Sequence, residues 1–238
     1  LQNFVCQKIG QDPVTYEVTK TDMAKLSGSV LINGLKDPAG LQYASGITRM
    51  QLNNGRMGTK MLDVSGMTRL QQLIITSGSL YGITGLDQLT NLKTLNINTP
   101  EFAVAEGLGD CTSLTSITLK GAYTELPSFE KLVNVTSLTL QGYAGFNETN
   151  YSNLTALPEG LSGMTKLKTL NILGDFANAP DRSDLPSLKS LTLSTAQDGT
   201  LPDYSGISSS LTTYTKVDTT LPALKEGAGT VTVNILGD

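Results

Sequence analysis

Apolar residues along this chain recur in a six-residue frame, with Leu, Ile, Val or Met at the first, fourth and sixth positions. The frame appears as Ile47-Met50-Leu52, Leu70-Leu73-Ile75, Leu92-Leu95-Ile97 and Leu114-Ile117-Leu119. It continues as Val135-Leu138-Leu140, Leu167-Leu170-Ile172 and Leu188-Leu191-Leu193, with successive steps of 23, 22, 22, 21, 32 and 21 residues. The last two apolar sites of each frame are two residues apart, the period of a strand. Their side chains therefore share one face, and the intervening residues take the other. One such strand cannot bury its apolar face alone, so coils of this period stack and their strands form a parallel sheet, spaced about 4.8 Å per coil.

Residues just ahead of each frame, such as Leu86, Leu89 and Leu185, are expected to fill the same core from the opposite side. Val30 and Ile32, 20 residues before Met50 and Leu52, start the stack. Beyond about residue 195 the pattern decays: Leu211 and Tyr214 are followed by Lys216 where an apolar residue is due. The alternation from Val231 to Ile235 predicts a closing strand. At the other end, Leu1, Phe4, Val5 and Ile9 have helical spacing and Gly10 stops the run. Thr21 is the expected N-cap of a second short helix carrying Met23 and Leu26. A period in the low twenties with this spacing is the signature of leucine-rich repeats. The expected fold is an α/β leucine-rich repeat solenoid, a curved parallel β-sheet of about nine coils of about 22 residues. A helical N-terminal cap covers 1–28 and the solenoid 29–238, with an insertion around 143–157.

Composition narrows the chemistry. The 238 residues are 39% hydrophobic and only 16% charged, below the ~25% of typical soluble domains. Leu (36) and Thr (31) dominate, the aromatics are 8 Tyr and 5 Phe, and there is no Trp. The chain has no His, which excludes Ser-His and Cys-His nucleophile pairs, His-ligated metals and the commonest general base. No Gly-rich phosphate loop, Asp-rich calcium loop or regularly spaced carboxylate pair is present, so no enzymatic activity, cofactor or metal is expected. Net charge runs from +3 over residues 1–70 to −7 over 71–238, without the basic clustering that nucleic acid demands. No apolar run approaches the roughly 18 residues of a membrane span. Cys6 and Cys111 are too few for a metal motif, and both are expected to pack as hydrophobes. Starting at Leu1 rather than Met, the sequence reads as a processed or engineered piece whose targeting signal, if any, is gone.

The stretch Thr21-Asp22-Met23-Ala24-Lys25-Leu26, then Gly40-Leu41-Gln42-Tyr43-Ala44 and Ile47-Thr48-Arg49-Met50-Gln51-Leu52-Asn53, resembles the internalin-like leucine-rich repeat proteins of bacterial surfaces. Leu89-Thr90-Asn91-Leu92-Lys93-Thr94-Leu95 is similar to that family's repeat, and the resemblance covers about residues 1–195. It implies a small helical cap, an extracellular or cell-surface setting in a bacterium, and recognition or adhesion through the repeats. The sequence departs from the family three residues after the last frame residue, where Asn is usual. Gly55, Gly78, Pro100, Ala122, Tyr143, Asp175 and Ala196 stand there instead. The asparagine ladder that satisfies loop carbonyls is thus missing, and other groups must take over.

Two regions are candidate recognition sites for a protein or glycan partner of this monomeric, non-enzymatic module. Tyr143, Phe146 and Tyr151 place three aromatics within nine residues of the insertion, as an exposed anchor or as a plug folded onto the core. Arg49, Gln51, Gln72, Asn96 and Asn98 project from the concave face of the strands, which is otherwise small and polar. Hot spots favour Trp, Tyr and Arg, so a rigid spacer displaying other domains, with no ligand of its own, is the alternative. The sequons at Asn134, Asn147, Asn150 and Asn153 matter only in a glycosylating source.

Overall fold

The computed structural model describes residues 1–123, 125–142, 157–173 and 182–194, together with the strands at 210–215 and 230–235. Helix α1 (Gln2–Ile9) buries Val5 and Cys6 and stops at Gly10, whose φ of 72° is left-handed. Helix α2 (Lys20–Lys25) begins earlier than the sequence pattern predicts. Thr19, not Thr21, is the N-cap, because Asp22 stands three residues on and closes a reciprocal capping box with it. Val5, Met23 and Leu26 join the hydrophobic core.

Among the described residues the strands are β1 (Ser27–Asn33), β2 (Gly46–Arg56), β3 (Met61–Asp63), β4 (Gln72–Ser79) and β5 (Gly82–Thr84). They continue as β6 (Thr94–Asn98), β7 (Val104–Ala105), β8 (Ser116–Gly121), β9 (Ser137–Gly142) and β10 (Thr169–Leu173). The last three are β11 (Ser190–Ser194), β12 (Ser210–Thr215) and β13 (Thr230–Ile235). Ten of them form one sheet in the order β1-β2-β4-β6-β8-β9-β10-β11-β12-β13, and every pair is parallel. The backbone register repeats the sequence frame: Met50 faces Leu73, Leu73 faces Leu95, Leu95 faces Ile117, Ile117 faces Leu138 and Leu138 faces Leu170. Inward apolar residues of the main-sheet strands from β1 to β11 are at most 4% exposed, so the period-2 alternation there is a true division between core and surface. The 32-residue step is absorbed between β9 and β10, which still pair in register.

The register of β12 corrects the frame expected from sequence. Leu211 lies opposite Leu191 rather than taking the first frame position, and Thr213 lies opposite Leu193. Backbone groups must pair wherever a strand adds to a sheet, and this requirement carries the ladder on after the apolar pattern has faded.

A second, three-stranded parallel sheet, β3-β5-β7, runs through the connections between coils. Short 3-10 turns precede the strands of the main sheet, and four of them start after a glycine of positive φ: Gly40, Gly85, Gly107 and Gly160. The residue that follows, Leu41, Leu86, Leu108 or Leu161, is buried.

The missing asparagine ladder is replaced in two ways. Main chains of successive coils pair directly: Arg56 N–H donates to Leu35 O at 2.7 Å, and Met57 N–H to Ser79 O at 3.1 Å. Gly55 and Gly78 come so close that a Cβ on Gly78 would stand 2.0 Å from Gly55 O. At the opposite turn a different polar ladder forms, one residue before the first frame leucine. Asn91 Nδ2 donates to Thr68 O (2.8 Å), Asn134 Nδ2 to Thr112 O (3.1 Å), and the Ser113 and Ser187 hydroxyls to Thr90 O and Thr165 O.

Candidate functional site

Parallel pairing turns the outward positions of each strand into three columns across the main sheet. The first runs Ser29, Arg49, Gln72, Thr94, Ser116, Ser137, Thr169, Ser190. The second runs Leu31, Gln51, Ile74, Asn96, Thr118, Thr139, Asn171, Thr192, and the third begins Asn33, Asn53, Thr76, Asn98, Lys120, Gln141. Four of the five residues singled out on this face from sequence thus become direct neighbours of one another or of one shared residue. Arg49 sits beside Gln72, and Ile74 lies between Gln51 and Asn96. Asn98 adjoins Thr76 in the next column.

The columns are not uniform. Arg49, the long amides Gln51 and Gln72 and the apolar side chains Leu31 and Ile74 lie on β1 to β4, with Asn96 and Asn98 on β6, while the third column carries Lys120, Gln141 and Leu173 on to β8, β9 and β10. From β8 to β11 the first two columns hold only Ser and Thr apart from Asn171. Arg49 is exposed and Leu31 is 50% exposed, while Gln51, Gln72, Ile74, Asn96 and Asn98 are half-buried among their neighbours. Asn53 fixes part of the patch: its Oδ1 accepts from Gln51 Nε2 (3.2 Å) and from Thr76 Oγ1 (2.8 Å). Side chains held in this way lose less entropy when a partner docks. Leu31 escapes a sequence search, because the frame begins at Ile47 and an isolated apolar residue at an outward position carries no periodic signal. The glycine-leucine pair that opens four of the 3-10 turns is a further signal of the repeat, legible in the sequence.

Tyr143, Phe146 and Tyr151, with the sequons at Asn147, Asn150 and Asn153, lie outside the described residues. Asn134 is occupied structurally, its Oδ1 accepting from Lys166 Nζ at 2.8 Å while its amide caps Thr112. Cys111 is a core residue, as its place in the repeat suggested. Its Sγ donates to Leu86 O at 2.8 Å, and burial, with Asp87 and Asp110 nearby, pushes the thiol up to about 12. Cys6 is buried as well, and the two thiols are not bonded to each other.

The strongest charge perturbation belongs to the N-terminal helices. Asp22, 2% exposed, accepts from Lys25 Nζ (2.7 Å), Thr19 Oγ1 (2.7 Å), Tyr16 Oη (2.8 Å) and Thr19 N–H (3.0 Å). These donors, Lys25 first, hold its carboxyl well below the usual carboxylate range. The arrangement is a capping network rather than a reactive site: the carboxylate is fully used by its own turn. Among the described residues no group of His, Cys, Asp and Glu could hold a metal ion, and no helix is long and apolar enough to cross a membrane.

No family model and no curated protein sequence matches this chain. Solved structures do. An internalin (inlF) from Listeria monocytogenes superposes with a TM-score of 0.61 at 18% identity, over 97% of this chain and 69% of that one. An internalin C2 (inlC2) from the same species gives 0.61 at 18% identity, over 98% of this chain and 92% of that one. At this identity the likeness speaks to fold: the chain has the leucine-rich repeat solenoid that these internalins have.

Proposed function

We propose that the chain is a non-enzymatic recognition module that binds a partner protein through the outward face of β1 to β6, in an extracellular, bacterial-surface setting. The observation that carries this reading is the concentration of Arg49, Gln51, Gln72, Asn96 and Asn98 around Leu31 and Ile74, whereas on β8 to β11 the first two columns hold only Ser and Thr apart from Asn171. An apolar pair ringed by amides and one Arg has the anatomy of a small protein interface, with an apolar centre and a polar rim. A glycan would be better served by an aromatic platform, and no aromatic residue occupies the outward positions of β1 to β11. In this reading residues 1–28 cap a solenoid of about nine coils spanning 29–238, and the module acts as a monomer. Tyr143, Phe146 and Tyr151 form a second candidate contact on the insertion.

A screen of the purified chain against an array of extracellular proteins and glycans tests the proposal. The variants are Arg49→Ala with Ile74→Ser, Thr118→Ala with Thr192→Ala, and the triple Tyr143/Phe146/Tyr151→Ala. A protein hit lost only in the first variant supports the β1–β6 face. A hit lost only in the triple variant moves the site to the insertion. A glycan hit, or no hit with any variant, overturns the reading, the latter in favour of a rigid spacer that displays other domains.

A further inference from the structure

A groove of about 610 Å³ lies beside β7, at the point where the second sheet ends. Tyr81, Val104, Ala105 and Leu126 supply its walls, and Glu106 and Glu125 its rim. The sheet stops at this point for a local reason. Strand β7 pairs with β5 through Gly82 opposite Val104 and Ile83 opposite Ala105. Val104 and Glu106 N–H donate back to Tyr81 O (3.2 Å) and Ile83 O (2.9 Å). Alternate residues of a strand point their amides to opposite edges, so the backbone groups of Ala105 face away from β5. In the next coil the described residues around 122–127 form no strand, and Pro127 has no N–H to offer. An edge with unused donors and acceptors is a template for another strand.

Three further features say what kind of strand. Tyr81 is 43% exposed and gives the groove an aromatic wall that accepts an apolar side chain. Glu106 and Glu125 are both exposed, and neither joins an ion pair among the described residues. The chain is acidic overall, at −4. We propose that this groove takes an extended peptide segment of a partner protein, bearing alternating apolar and Lys or Arg side chains, which adds to the outer edge of β7 as a fourth strand of the second sheet. The segment's main chain pairs with Ala105, its apolar side chain rests on Tyr81 and Leu126, and its cations face Glu106 and Glu125. This site is separate from the β1–β6 face and stands or falls independently of it.

The test is an amide-resolved NMR titration of the whole chain with a capped Lys-Val-Lys-Val-Lys-Val hexapeptide, with Glu-Val-Glu-Val-Glu-Val as comparison. Saturable shifts confined to Tyr81, 103–106 and 122–127 are expected with the Lys peptide and none with the Glu peptide. The double change Glu106→Gln and Glu125→Gln, which keeps shape at two exposed sites, weakens binding roughly fivefold or more at low salt. Ala105→Pro removes only the outward N–H and abolishes the shifts, while the rest of the spectrum reports an intact fold. Absence of shifts at 103–106 with the Lys peptide, equal binding of the Glu peptide, or shifts confined to β2–β6 would each overturn the inference.

Discussion

Placing asparagine at Gly78, the residue type that internalin-like repeats carry at this site, destabilises this protein instead of improving it. Restoring a family's usual residue commonly adds about 0.5–2 kcal/mol. At Gly78 the geometry reverses that sign. Its φ is 92°, and a Cβ would stand 2.0 Å from Gly55 O, 2.6 Å from Gly55 N and 2.9 Å from the Asn54 carbonyl carbon. Real Cβ atoms essentially never approach within 3.0 Å, so β2 and β4 must separate by about 1 Å at a place where backbone lies on backbone. Overpacking of this kind costs about 1–3 kcal/mol, and the left-handed backbone, which Asn tolerates better than other L residues, adds at most about 1. A loss of about 1–4 kcal/mol follows, or a melting temperature lower by roughly 3–15 °C for a chain of this size. Gly55→Asn is the control. Its φ is not positive, and its Cβ would meet first the mobile Met57 Cε at 3.0 Å, so a change within about 1 kcal/mol is expected. Urea unfolding followed by circular dichroism compares the two, with the denaturant slope as a check that the unfolded states match. If Gly78→Asn is as stable as the parent or more so, direct backbone contact between coils is not what replaces the asparagine ladder.

Thr99 is fully buried and its Oγ1 has no hydrogen-bond partner among the described residues, so Thr99→Val should raise stability by about 1 kcal/mol; a loss in the same urea experiment would show that the hydroxyl is bonded. Asp22 has a lowered folded pKa, so its contribution is complete above the unfolded value near 4 and is lost as pH falls through the folded value. Helix protection measured by amide exchange should therefore fade below about pH 4 in the parent, and Asp22→Asn should be weaker at neutral pH and insensitive to acid. Cys111, with its thiol near 12, presents on the order of one thiolate in 10⁴ molecules at pH 8, so a disulfide reagent should label it only on unfolding; rapid native labelling would contradict its burial. Leu95→Ala, in a strand paired on both sides, should cost about 2–5 kcal/mol by calorimetry, and a smaller cost would mean that neighbouring coils close the cavity.

Much of this protein is legible in the sequence alone. Seven apolar frames dictate the parallel order and the register of the main-sheet strands β2, β4, β6 and β8 to β11, because a strand whose two faces differ so sharply in polarity cannot slip by one residue without exposing its core. The columns of outward residues follow from that register, including the place of Arg49 beside Gln72. What depends on contacts between coils is not visible in any one of them. The second sheet arises from three segments of two or three residues, Met61–Asp63, Gly82–Thr84 and Val104–Ala105, too short to show a period. Thr19 outranks Thr21 as a cap through a single side chain three residues on. The close passage of Gly55 and Gly78, the orphaned hydroxyl of Thr99 and the open edge at Ala105 depend on how two turns meet in space. Periodicity records which side of the chain is apolar. It carries no information on which backbone atoms of one coil come to lie against those of the next, since that is decided by packing and by the pairing of main-chain donors and acceptors.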